Sequence, residues 1–143
     1  MTVGIAVVTA VLVTFLITRP TVTATSFMPL SGLITLKAMA NEAVPYESAI
    51  ASPQPTLIEF YADWCTTCQG MSSTMADLHQ QYGATINFVM LDIDDPQWVT
   101  QVSDYGASGV PQFTLLDAHQ NEMKTWIGKV PKPIFAHVFD QLG

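Results

Sequence analysis

The chain has 143 residues, with five basic side chains against twelve acidic ones and a net charge of −7. Residues 1–54 balance two bases against two acids, whereas Pro55 onward holds ten acids and three lysines, which argues against binding nucleic acid or anionic lipid head groups. Some 49% of the residues are apolar and only 12% are charged, a low share for a purely soluble protein.

That apolar excess has a location. Thr2 to Thr18 carries no charged side chain, and its 17 residues as a helix would span about 26 Å against a hydrocarbon core of about 30 Å. An uncleaved, single-pass transmembrane anchor over residues 1–19 is the expectation, with Arg19 reaching back to the head groups. A cleaved signal peptide and a helix of the domain core remain alternatives. Ala38-Met39-Ala40 has the A-x-A form of a cleavage site, but it lies 22 residues beyond Thr18, and no basic stretch precedes the apolar run. Residues 20–44 are rich in Thr, Ser and Ala, broken by Pro29 and Gly32, and without sustained periodicity; they read as a linker or interfacial tether.

Residues 45–143 read as the folded domain. A short helix is expected after Pro45, ended by Ser52-Pro53-Gln54-Pro55. Leu57 to Tyr61 is a short apolar run with the look of a buried strand. Cys68, Met71, Met75, Leu78 and Tyr82 then recur at helical spacing, with Gly83 placed as a stop. Ile86 to Leu91 is nearly continuous apolar, as a strand covered on both faces should be. Asp95-Pro96 is a helix start, with Val99, Val102 and Tyr105 on one side and Gly106 closing it. Gln112 to Leu116 and Glu122 to Ile127 flank a turn-rich loop and predict a hairpin. Pro131 to Leu142 predicts a last amphipathic helix burying Ile134, Phe135, Val138, Phe139 and Leu142. The first two strands must be parallel and the last two antiparallel, giving a mixed sheet with helices on both faces.

The only two cysteines, Cys65 and Cys68, sit where the first strand turns into a helix. Unpaired backbone N–H groups and the positive end of the helix dipole favour thiolate over thiol there. Cys65, at the helix start, is the expected nucleophile, and Cys68, one turn on, the resolving thiol. A static disulfide or half of a metal site are the competing readings. A four-sulfur zinc site needs two more ligands, and His79, His119 and His137 show no ligand spacing to the pair, so no metal is expected.

With Cys-x-x-Cys at this turn and Gly109-Val110-Pro111 before the hairpin, Thr56 to Gly143 resembles thioredoxin. It is similar in particular to the membrane-anchored thioredoxin-like proteins of cyanobacteria (the TxlA type) and their chloroplast counterpart in thylakoids. The residues carrying this are Glu59-Phe60-Tyr61-Ala62-Asp63-Trp64-Cys65, the run Asn87 to Asp94, and the N-terminal anchor. The resemblance implies an α/β thioredoxin fold preceded by a single transmembrane helix. It implies a tethered protein-disulfide reductase in the thylakoid with its domain in the lumen, or in a plasma membrane facing the periplasm. Electrons would come from a CcdA-like membrane thiol transporter and pass to target disulfides, including apocytochromes during cytochrome complex assembly; no cofactor is implied. A disulfide oxidase or isomerase, or a non-catalytic assembly factor that binds clients, are the rival functions.

By the same resemblance, Pro111 is in a cis peptide, presenting the Val110 backbone to an extended substrate. Glu59 lies beneath Cys68 and relays its proton, against a plain reading in which strand alternation points it to solvent. Trp64 flanks the site at the surface, and Asp63 either tunes the local field or caps the helix. Three departures matter: Thr66-Thr67 between the cysteines instead of Gly-Pro, Ser73 where the family often has proline, and Met90 where many thioredoxins have lysine. The redox potential is therefore not carried over, since this fold covers about −270 to about −120 mV.

Overall fold

The computed structural model of the protein describes residues 28–142. The segment carrying the expected anchor over residues 1–19 lies outside them. Among the described residues no helix is long and apolar enough to cross a membrane.

In chain order the elements are α1 (Met28–Glu42), α2 (Tyr46–Ile50), β1 (Thr56–Tyr61), α3 (Thr66–Tyr82), β2 (Asn87–Asp92), a 3-10 turn (Pro96–Trp98) running into α4 (Val99–Asp104), β3 (Gln112–Leu116), β4 (Glu122–Ile127) and α5 (Lys132–Phe139). The sheet order is β2-β1-β3-β4. β1 runs parallel to β2 and antiparallel to β3, and β3 pairs antiparallel with β4. The central strands β1 and β3 are buried along their whole length, covered on both faces, and carry Thr56, Glu59, Gln112 and Thr114 into the interior with their apolar neighbours.

Side-chain alternation along β1 divides the core in two. Leu57 joins Met71, Met75, Phe113 and Phe135 beneath α1, α3 and α5. Ile58 and Phe60 join Ala49, Val89 and Leu116 beneath α2 and α4. Asp95 caps the 3-10 turn by accepting from the Gln97 N–H at 3.0 Å. Val102 and Tyr105 pack inward, but Val99 is exposed, because a face counted at 3.6 residues per turn does not continue through the tighter turn that precedes it. In α5 the buried stripe narrows to Phe135 and Phe139, one turn apart, and Ile134 is exposed. Gly83 follows α3 at the expected place, yet its φ is −62°. What demands glycine there is space: a Cβ would stand 2.6 Å from the His79 carbonyl oxygen. Gly106 does use a positive φ, 56°.

One expectation is corrected. Residues 28–42, read as part of a linker, form α1 and pack against α3. Leu36 is fully buried. Gly32 lies so close to α3 that a Cβ would come within 2.7 Å of the Gln69 carbonyl oxygen, and the Ser72 hydroxyl donates to the Gly32 carbonyl at 3.2 Å. Leu30 and Ile34 stay exposed while Leu36 and Met39 are buried, so apolar residues surround the helix and leave no one-sided pattern to read. After α1 the Val44 N–H donates to the Phe88 carbonyl (2.9 Å), tying the chain to the outer edge of β2.

Candidate active site

β1 delivers the chain to the site, and α3 begins at it. Cys65 is the N-cap of α3, in an extended conformation, and its sulfur accepts a hydrogen bond from the Cys68 N–H at 3.0 Å. Cys65 and Cys68 form a disulfide with Cα atoms 5.2 Å apart. Cys65 retains 4% of its surface and Cys68 none, so an attacking sulfur reaches Cys65 first. When the pair is reduced, the amide aimed at Cys65 and the end of a 17-residue helix both stabilise a sulfur anion there.

The preceding loop is pinned from three sides. The Trp64 indole N–H donates to Asp94 Oδ2 at 2.7 Å while 64% of the residue stays exposed. The Gln69 amide donates to the Asp63 carbonyl at 2.7 Å. Lys37 of α1 pairs with the Asp63 carboxylate at 2.5 Å. Asp63 therefore does not cap α3; that role belongs to Cys65. Neither Lys37 nor Leu36 was legible as part of the site. Yet Leu36 packs in one buried cluster with Tyr61, Ala62, Cys65 and Cys68.

The facing wall comes from the loop before β3. The Val110–Pro111 peptide is cis, Pro111 is buried, and Val110 packs against the cysteine cluster. The Gly128 N–H donates to the Pro111 carbonyl at 2.8 Å. Just before it, Ile127 is 59% exposed, and a Cβ at Gly109 would meet its Cγ2 at 3.8 Å. Trp64, Val110 and Ile127 thus form a broken apolar rim around the disulfide. Ile127 escaped sequence reasoning because counting the hairpin outward from its loop puts Trp126 opposite Gln112; an irregularity at Leu115–Leu116 shifts the register by one and brings Ile127 there, next to Pro111.

Glu59 stands in β1 two residues before Tyr61, which packs in the cysteine cluster. The acid is 2% exposed, and neither carboxyl oxygen has a hydrogen-bond partner, so the solvent-facing reading is set aside. Burial pushes its pKa from 4.5 up to about 8, leaving it mostly neutral at pH 7. Its neighbour in β2 is Met90, which supplies no charge to offset the burial. Among the described residues no cluster of three or more His, Cys, Asp or Glu side chains is arranged to hold a metal.

Residues 36–140 match the thioredoxin family. The chain belongs to that family. Its Cys65–Cys68 pair is a dithiol capable of thiol–disulfide exchange. Similar proteins include the thiol:disulfide interchange protein TxlA of Synechococcus elongatus, 43% identical over 78% of this chain. The chloroplastic thioredoxin-like protein HCF164 of Oryza sativa subsp. japonica is 39% identical over 73% of it. The chain spans 59% and 40% of those two proteins' own lengths. The solved structure of the germline-specific thioredoxin Deadhead from Drosophila melanogaster superposes with a TM-score of 0.57 at 22% identity, covering 65% of this chain and 85% of that one, a likeness of fold.

Proposed function

We propose that this protein is a membrane-tethered disulfide reductase that draws electrons through the Cys65–Cys68 pair and passes them to protein disulfides on the far side of a thylakoid membrane. The observation that carries the chemistry is the disulfide itself: a reachable sulfur at the start of α3 and a buried partner sulfur one turn on, with an unpartnered acid buried in the preceding strand. In the reducing direction the Cys65 thiolate attacks a client disulfide, forming a Cys65–client bond and expelling one client thiolate. Cys68 then loses its proton to the Glu59 carboxylate and attacks Cys65. The Cys65–client bond breaks, the client sulfur leaves with the electron pair and takes a proton from water, and the Cys65–Cys68 disulfide remains. The Val110 backbone, held beside the cysteines, offers an edge along which an extended client can pair.

The membrane and compartment rest on the charge-free stretch at residues 2–18 and on the chloroplast and cyanobacterial relatives. The electron donor is a membrane thiol transporter of the CcdA kind, and the clients include apocytochromes during cytochrome assembly. The test is trapping. Cys68→Ser in its native membrane should accumulate covalent client adducts that dithiothreitol releases, and Cys65→Ser should neither trap nor reduce. Full client reduction by Cys65→Ser would sink the assignment of the nucleophile, and a potential near −120 mV would indicate an oxidase instead.

A further inference from the structure

Glu59 poses a problem of proton supply. Held neutral by burial, it must release a proton before it can take one from Cys68, and the cysteine cluster offers little access to water, since Cys68, Ala62 and Leu36 are all fully buried. Beside Glu59 lies a narrow cavity with room for about one water molecule, about 10 Å³ for the water's centre. Apolar residues of α1, α3 and β2, Met39, Met75 and Met90 among them, form most of its wall. Among the described residues two titratable side chains reach it, Glu59 from β1 and His79 from α3. His79 also borders a separate, open cleft of about 250 Å³ on the outside of the α1–α3 seam, where Glu42 of α1 is the one charged neighbour. The imidazole is half-buried and held against the Phe88 ring with centroids 5.0 Å apart. It therefore lines both the inner cavity and the open cleft.

We propose that His79 is the proton gate of the redox centre, exchanging the proton of Glu59 with solvent through the α1–α3 seam rather than through the client-facing surface. This rests on the reading of Glu59 as the base for Cys68. The Glu59 proton passes, through a water in the cavity, to one imidazole nitrogen, and the other nitrogen releases a proton to the outer cleft. Glu59 is left as the carboxylate. It then takes the Cys68 proton as Cys68 attacks Cys65, which restores the neutral acid and closes the cycle. Atoms and charge balance with one proton delivered to solvent per client reduced. The β2 residue paired with Glu59 is Met90, which cannot carry a proton.

The test is single-turnover oxidation of the reduced protein by insulin disulfides, with the Cys65 alkylation rate measured in parallel. His79→Gln, which keeps hydrogen bonding but cannot carry a proton, should slow resolution by about tenfold at pH 7. The deficit should shrink above pH 8, and Cys65 alkylation should be unchanged. Added imidazole should restore at least half of the rate lost in His79→Ala, a response that a packing role would not give. Glu59→Gln combined with His79→Gln should be no slower than Glu59→Gln alone. Wild-type rates in both His79 variants, with Glu59→Gln slow, would overturn the gate and leave the relay standing. A wild-type rate in Glu59→Gln would overturn the relay and the gate with it. Slow His79 variants without imidazole rescue, additive with Glu59→Gln, would assign His79 to packing instead. Should His79→Ala fail to fold, the pH profile and double variant of His79→Gln decide alone.

Discussion

Replacing Glu59 by leucine should change how stability depends on pH, and the structure sets both sign and size. Below pH 4.5 the carboxyl is protonated in folded and unfolded chains alike and contributes no pH dependence. Above 4.5 the unfolded chain ionises while the folded one stays neutral, because its pKa is raised to about 8 by burial. Folded stability therefore falls through this window and levels off once the folded carboxyl also ionises. At about 1.4 kcal/mol per pH unit, the loss is on the order of 5 kcal/mol, against a total of about 5–15 kcal/mol for a typical domain. With a urea slope of about 2 kcal/mol per molar, the midpoint of wild type should drop by about 2 M between pH 4.5 and 8. Glu59→Leu should lack this share of the fall and, with an apolar group in place of an unpartnered acid, should be the more stable protein at pH 8. The assay is urea unfolding of the oxidised form, in which neither cysteine titrates, across pH 4.5–9. The shifted tyrosines stay out of this window, since the pKa of Tyr61 is pushed up to about 12 and that of Tyr105 is raised as well. Parallel pH profiles for the two proteins would show that Glu59 is wetted or paired in solution, and the reasoning would fail.

Two further expectations test other parts of the molecule. Leu36→Ala should destabilise the domain by about 2–5 kcal/mol in urea unfolding, as deletion of a buried core side chain does, whereas a substitution in a mere tether would cost nothing measurable. Ile127→Asp should leave the melting temperature within about 2 °C of wild type, because the side chain is exposed, while raising KM for a protein disulfide several-fold with little change toward a small disulfide. Equal KM values for both substrates would remove Ile127 from the client rim.

Much of this protein was legible along the chain because the signals are local. The β1-to-α3 turn, the Asp95-Pro96 start and the 112–116/122–127 hairpin each rest on neighbouring residues whose spacing and capping chemistry act within a few positions. The same locality makes Cys65 the helix cap, so the polarity of the dithiol, nucleophile first and resolver one turn on, follows from four consecutive residues. What needed the tertiary structure were contacts between segments far apart in sequence. Leu36 and Lys37 join the site only because α1 lies across α3, and the helix carries no one-sided apolar stripe to announce it. Ile127 joins by strand pairing, and His79 by the meeting of three elements around one cavity. Glu59 is the sharpest case. A period of two allows either face of a strand, and only the packing of α1, α3 and β2 over one of them turned an ordinary carboxylate into a buried, mostly neutral acid.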